Sequence, residues 1–439
     1  MNNEIGEPVS PEGTSSNENL RELATTAEEE ETLERFGYKQ ELSRTMGAFS
    51  AFALSFSGIG ITAAVFATIG FVWSQGGPAG IWTWPIASVF FVLLGLVFGE
   101  ISTKIPLAGV SFQWVSRLKS AHYGFMVGLF AYIAFQVGVV STDLVFAAFF
   151  LPTIGIAPDQ TKEVLVAVIA FLMQGGLLVG GLRIATKVNN IAVVTEICGG
   201  FVTGLALLIW ALVTHHHSFS YSFNTGAAHN GSSYFLPFII SFLLPIFTFS
   251  AWEAPADLAE ETVAGTTTNP RAMIRAIIIT AVVGFVMLLG FTLGMPALKE
   301  TLASADPGNL IVQNAFGSTI SRLFLIVVDI SIFATGIAIL AMAARIVFSM
   351  GRDGVIVGSK HLSRVSGARH SPVRATVAVT VVAIVVLLIA QKLTLVSQVA
   401  SVFYSLVYLL VTASYLTARN KFSSPAGSFS MGQIGRAHV

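Results

Sequence analysis

Ten predominantly apolar stretches recur along the chain, at 46–75, 81–101, 123–150, 163–182, 191–213, 234–258, 272–295, 318–349, 373–391 and 395–418. A helix needs roughly 20 residues to cross hydrocarbon, and these runs are of that size. No other feature restricts the fold as much. Inside a bilayer every backbone N–H and C=O has to be satisfied by the protein itself, which leaves helices or a closed barrel. Barrel strands would be shorter and half polar, whereas these runs are apolar on all sides and rich in Leu, Ile, Val and Ala. The expected fold class is therefore an all-α polytopic membrane protein. With 54% hydrophobic and 11% charged residues and a mean hydropathy of +0.75, the chain lies outside the range of soluble domains. Its zero formal net charge gives no basic surface for nucleic acid.

Residues 1–44 differ from the rest of the chain. They are rich in Glu, Ser, Asn and Pro and include the run Glu28 to Glu31, so they are expected to form a solvated tail and not a signal peptide. Leu33, Phe36 and Leu42 among charges suggest a short amphipathic segment at the membrane surface before the first span. With this tail inside, the cytosolic loops collect 20 of the 24 Lys and Arg residues, and the outside keeps Lys162, Lys299, Arg322 and Lys392. That asymmetry fits a cytosolic N-terminus and an even number of spans in the plasma membrane. His215, His216 and His217 then face outward, where a solvated loop is expected, because adjacent residues cannot all point at one ion. Cys198, in an apolar run, is expected to pack in the core. Residues 419–433 form a cytosolic segment. The last six residues, 434–439 ("IGRAHV"), are what a common sequencing adapter encodes in one frame, so the natural chain is expected to continue.

Two spans carry helix breakers. Ser55, Ser57, Gly58 and Gly60 sit mid-span in the first, where the glycines weaken the helix and let backbone groups open toward a cavity. In the sixth, Pro255 disrupts the preceding turn through its missing N–H and its ring. Paired interruptions of this kind point to a transporter site near the midplane, since half-helix ends offer N–H groups to anions and carbonyls to cations. The tetrapeptides Ser55-Phe56-Ser57-Gly58 and Thr248-Phe249-Ser250-Ala251 share a hydroxyl, Phe, Ser, small pattern, which fits an inverted five-plus-five repeat. The competing reading is that the glycines serve close helix packing.

A carboxylate in hydrocarbon costs several kcal/mol unless it faces protein or water, so Glu253 beside Pro255 needs a partner. It can meet a substrate amine or a transported proton, or stabilise the N-terminus of a second half of helix six. Asp143 in the third span and Glu196 in the fifth are candidate coupling residues. Asp143 lies nearer an outer span end, where solvation is expected.

The motifs together resemble the amino acid, polyamine and organocation transporter superfamily, most closely its amino acid and choline permease branch. "LERFGYKQELSR" is similar to that branch's lead-in to helix one, and "GEISTKIPLAGVSFQWV" to the end of helix two and its loop. "FSAWEAPADLAEETVAGTTTNPRAM" resembles the broken helix six, "ARIVFSMGRDG" with "SPVRATV" the loop between helices eight and nine, and "SSPAGSFSMGQIG" the approach to an eleventh helix. The resemblance covers about residues 33–433. It implies a twelve-helix carrier of which this chain holds the ten-helix core. It implies further that Ser57, Gly58, Ile59, Gly60 and Ile61 line the substrate site from helix one, that Phe249, Ser250, Ala251, Trp252 and Glu253 line it from helix six, and that Phe247 is a gating aromatic. Glu196 falls where some relatives hold a lysine in place of a sodium ion, and Ala251 where glycine is common. Glu260, Glu261, Arg352 and Asp353 are expected to form exposed, individually weak ion pairs at the inner gate.

The expected function is secondary active transport of an amino acid or related small amine, coupled to protons or run by exchange, with membrane lipid and no nucleic acid as partner. γ-Aminobutyrate, choline or a polyamine are alternatives, choline because Trp252 could present a cation-attracting face. An intramembrane enzyme would need Asp143, Glu196 and Glu253 as acids and bases, but no nucleophile sits beside a base and no His falls inside a span, so no catalytic residue, metal or cofactor is expected. A receptor on a carrier fold would call for a long signalling extension, and the 44-residue tail is too short and featureless to supply one.

Overall fold

The computed structural model describes residues 27–226, 233–304, 306–419 and 429–431. It divides into two units, Met1–Glu41 and Leu42–Val439. In the first unit, helix α1 spans residues 27–35 and carries an exposed Arg35–Glu31 ion pair at 3.0 Å, one turn apart. The expectations for residues 1–26, for most of 419–433 and for 434–439 lie outside the described residues.

The second unit is all-α. Its described residues form helices, short 3₁₀ turns and one isolated bridge between Met46 and Thr262. In chain order the helices are α2 (Ala48–Ile59), α3 (Ile61–Gly76), α4 (Thr83–Lys104), α5 (Val110–Leu118), α6 (Ala121–Thr153), α7 (Gln160–Gly180), α8 (Leu182–Val213), α9 (Phe235–Ser241) and α10 (Leu243–Thr248). The chain continues with α11 (Ala254–Asp257), α12 (Gly265–Gly294), α13 (Leu298–Ala303), α14 (Pro307–Arg352), α15 (Ser359–Leu362), α16 (Val373–Ile389) and α17 (Leu393–Ala418). Among the described residues eight helical stretches are long and apolar enough to cross a membrane, and Phe235–Thr248 and Val373–Ile389 are shorter apolar helices at the sixth and ninth expected spans. The chain is a polytopic helical membrane protein.

Burial separates inner from outer helices. In the most apolar window of Ala48–Gly76, 89% of residues are buried, against 33% in Gln160–Gly180 and Leu182–Val213. The first span is therefore wrapped by protein, while the fourth and fifth present Leu172, Met173, Ile191 and Val194 outward. Cys198, expected in the core, is exposed on this outer face of α8. Lipid is as apolar as a protein core, so an apolar neighbourhood in sequence cannot say which side of the helix faces in. Pro307 opens a helical segment ahead of the eighth span, and Gly317, at φ 83° and ψ 173°, breaks it from the helix that runs on to Arg352, so the spanning part begins close to the expected 318. His216 and His217 direct Nε2 at the carbonyl of Met295, at 2.9 and 3.0 Å, and so tie their loop to the end of α12.

Candidate functional site

The first span breaks at one residue. α2 ends at Ile59, Gly60 takes left-handed angles of φ 56° and ψ 55°, and α3 restarts at Ile61. A side chain here would be strained by the backbone, and a Cβ would lie 2.5 Å from Thr335 Oγ1. The restart leaves first-turn N–H groups without helical partners. One of them, Thr62 N–H, donates to Glu196 Oε1 at 3.1 Å. The intramembrane carboxylate of α8 thus compensates the break in the first span.

The sixth span breaks over a longer stretch. α10 stops at Thr248, Phe249 to Glu253 are not helical, and Ala251 adopts φ 57°. Pro255 lies in the first turn of α11, where its missing N–H is harmless. Ala251 is the residue four before it, whose carbonyl a proline ring would crowd in a continuous helix. The expected second half of helix six is reduced to α11, four residues long, and a 3₁₀ turn at Ala259–Glu261. Glu253 stands at the N-cap of α11 without a side-chain capping bond. A left-handed non-glycine residue costs about 1–2 kcal/mol, of which glycine's greater freedom when unfolded returns part. Ala251→Gly is expected to raise stability by about 0.5–1 kcal/mol, read as a higher thermal-unfolding midpoint in detergent. A lower midpoint would mean that the Ala251 methyl contributes more by packing than its backbone loses.

The two breaks touch. A Cβ on Gly58 would collide with the Ala251 carbonyl oxygen, so glycine permits this approach. Ser55 Oγ donates to the Trp252 carbonyl at 2.5 Å. The close-packing reading thus holds for Gly58, while Gly60 makes the break. A cavity of about 30 Å3, room for one or two waters, adjoins this contact. Of the residues expected to line the site, Gly58, Ile59, Gly60 and Ser250 do line it, as does Phe247, expected as a gating aromatic. Ser57 is buried beside them, its hydroxyl without a hydrogen-bond partner among the described residues, and Ile61 is buried in the first turn of α3. Phe249 stacks on Phe91 and packs on Trp84, each at 5.0 Å between ring centres, and Trp252 packs on Phe98 at 4.9 Å. Neither ring reaches the cavity wall.

Glu253 is fully buried, and its Oε2 accepts from Tyr408 Oη at 2.7 Å while Oε1 has no hydrogen-bond partner among the described residues. The same Tyr408 oxygen accepts from Ala251 N–H at 2.9 Å. One phenol on α17 therefore serves both the freed backbone and the acid. Tyr404, one turn earlier, lines the cavity with Thr335, Gly138 and Thr142. Sequence reasoning did not find this face of α17, although Tyr404 and Tyr408, four residues apart in an apolar span, are the signal for it. Tyr408→Phe is expected to cost about 2 kcal/mol, because it strips partners from a buried N–H and a carboxylate oxygen. An unchanged unfolding midpoint in that variant would remove the phenol from this role.

Asp143, expected near solvent, is completely buried and accepts from Gln174 Nε2 at 2.8 Å. Ala147, Val139 and Val140 on the neighbouring turns are buried as well, so position along the chain is a poor guide to hydration. The acids after helix six are also buried. Glu261 forms a two-pronged pair with Arg345, at 2.7 and 2.9 Å, and Glu260 one with Arg352, at 2.8 and 2.9 Å. The expectation of exposed, weak pairs is corrected for both glutamates, each 1% exposed, and Arg345 was not foreseen as a partner. Asp353 remains exposed and accepts from Gln113 Nε2 at 3.2 Å. Glu260 Oε1 further accepts from Ala108 N–H at 3.0 Å and Asp257 Oδ1 from Val110 N–H at 2.9 Å. The Glu261 carbonyl accepts from the N–H groups of Thr45 and Met46, each at 3.0 Å. The end of helix six is thereby tied to the start of helix one, to the loop before α5 and to α14.

Two interrupted helices joined back to back inside a bundle of membrane spans define a carrier-like membrane protein. The amino acid permease family model matches residues 46–426, and the chain belongs to that family, which is one of transporters and not of enzymes. An uncharacterised amino-acid permease of Schizosaccharomyces pombe is 26% identical over 375 residues, 81% of this chain and 65% of that relative. An amino-acid permease of Arabidopsis thaliana is 26% identical over 373 residues, 78% of this chain and 71% of its own length. A GABA-specific permease of Saccharomyces cerevisiae is 23% identical over 385 residues, covering 83% and 66%. The chain thus spans about two thirds of the length of these relatives.

Proposed function

We propose that the protein is a secondary transporter that carries an amino acid or related small amine across the plasma membrane by alternating access, coupled to protons, with its N-terminus in the cytosol. The observation that carries this reading is the contact of two helix breaks, Gly58 against Ala251, with a buried carboxylate, Glu253, beside them. Backbone freed from its ladder supplies directed dipoles at that depth. Glu253 and the break carbonyls suit an amine, and the first turn of α3 suits a carboxylate. A cavity of about 30 Å3 is far below the few hundred Å3 that hold a small solute. The arrangement therefore corresponds to a closed-down state, and loading requires the two breaks to separate. The look-alike tetrapeptides end at the two residues that abut, Gly58 and Ala251, which supports an inverted five-plus-five repeat about that contact.

Glu196 is the coupling residue this arrangement favours. Protonation would weaken the hydrogen bond that Oε1 accepts from Thr62 N–H, since a neutral acid is a poorer acceptor than a carboxylate, so proton occupancy and the geometry of the first break are linked. Asp143, held by Gln174, is the second such acid. γ-Aminobutyrate enters as a candidate through the yeast relative's printed substrate. Choline is less well supported, because Trp252 does not face the cavity. The test is uptake into proteoliposomes of labelled amino acids, γ-aminobutyrate, choline and putrescine under an imposed proton gradient. Accumulation of an amine-bearing solute is expected, and Glu253→Gln is expected to lower kcat/KM at least about tenfold, the equivalent of one charge-assisted hydrogen bond. Uptake with unaltered affinity in Glu253→Gln would count against the role of that side chain.

A further inference from the structure

A second hollow, of about 700 Å3, lies between α6, α7, α8 and α14 and shares no lining residue with the cavity at the breaks. Its walls include Met173, Ile191 and Ile326, all exposed on the outer surface of the bundle, so it opens where lipid would lie. Its volume is within the range of small-molecule sites. The lining is almost wholly apolar, with one charged residue, Asp329 of α14. That carboxylate is only 6% exposed, and among the described residues neither of its oxygens has a partner at hydrogen-bonding geometry. Thr153 is the hydroxyl beside the acid, and its proton is already donated to the Phe149 carbonyl at 3.0 Å. Asp329 sits about 18 Å along the helix from the Gly317 kink, three full turns into the span.

An unpartnered carboxylate among apolar side chains is expensive, and an occupant that brings a donor would lower its free energy. Phospholipid tails can fill such a groove but carry no donor, and phosphate groups would repel the acid. The chemistry that satisfies both walls and acid is an apolar body with one protonated nitrogen. We propose that this groove is a binding site for a lipophilic amine, which enters from the bilayer and pairs its ammonium with Asp329. The nitrogen donates and a carboxylate oxygen accepts, while the tail lies against Met173, Ile326 and Ile330. The site is separate from the transported solute and does not depend on its identity.

The test uses the purified full chain in nanodiscs, titrated with dodecylamine and, as its neutral counterpart, dodecanol, with binding read by native mass spectrometry and by the unfolding midpoint. Dodecylamine is expected to bind at least tenfold more tightly than dodecanol. Asp329→Asn is expected to weaken the amine at least tenfold and the alcohol less than twofold. Met173→Trp, a surface change that fills the groove, is expected to weaken both. Equal binding of amine and alcohol, or amine binding untouched by Asp329→Asn, would overturn the proposal. If Asp329→Asn does not fold, Met173→Trp decides, since amine binding that survives it places the amine elsewhere. A dimer that Met173→Trp dissociates would also overturn it, by giving the groove to a second copy of the chain.

Discussion

Arg345→Ala is expected to destabilise the protein by about 3–5 kcal/mol, the usual result of removing one partner from a buried ion pair. Arg345 is 2% exposed and holds both oxygens of Glu261. Without it, Glu261 is a buried anion whose own carbonyl anchors Thr45 and Met46 at the start of helix one. On the proposed alternating-access cycle water reaches Glu261 in the inward-open state, so the same loss is expected to shift the balance toward that state by about a hundredfold to a few thousandfold, at 1.4 kcal/mol per tenfold. Thermal unfolding in detergent measures the first effect, and labelling of an introduced Ser250→Cys from the cytosolic side, in a Cys198→Ser background, measures the second. The double variant Arg345→Met with Glu261→Met is expected to regain most of the stability, because apolar replacement of a buried pair is often neutral. Stability unchanged in Arg345→Ala would show that the pair contributes nothing to closing the inner face.

Gly60→Ala is expected to cost about 2–5 kcal/mol and to abolish uptake. About 1–2 kcal/mol of this comes from the left-handed backbone. The remainder comes from the methyl meeting Thr335 at 2.5 Å from Oγ1 and 2.9 Å from Cγ2, an overpacking of the kind that costs about 1–3 kcal/mol. Adding Thr335→Ala removes both atoms and is expected to restore the overpacking part but not the backbone part. Uptake and unfolding midpoint should therefore recover partially. Full recovery in the double variant would mean that the left-handed turn at Gly60 is not required, and an active, stable Gly60→Ala protein would mean that the first span has no break.

Much of this architecture was legible because hydrocarbon allows few solutions. Long apolar runs have to be helices, and Pro255 and Gly60 disturb helices for local reasons that need no tertiary information. What escaped the sequence concerns which way a side chain faces. In a soluble protein an apolar residue marks the inside, whereas here lipid and core are alike. Cys198 was therefore placed on the wrong face of α8, and the burial of Asp143 was missed. Arg345 appeared to be one of many cytosolic loop cations, although α14 continues past it to Arg352 and carries it under helix six. Tyr408 was overlooked because its function is relational, joining an N–H and a carboxylate more than 150 residues away.

On the proposed function the solute is held where the first and sixth spans lose their helical bonding side by side. A structure of the protein with the accumulated solute bound tests it most directly. The expected result is solute density between Gly58–Gly60 and Phe247–Ala251, with its amine within hydrogen-bonding distance of Glu253 or the freed carbonyls. Solute bound elsewhere, or two uninterrupted helices with no space between them, would contradict it.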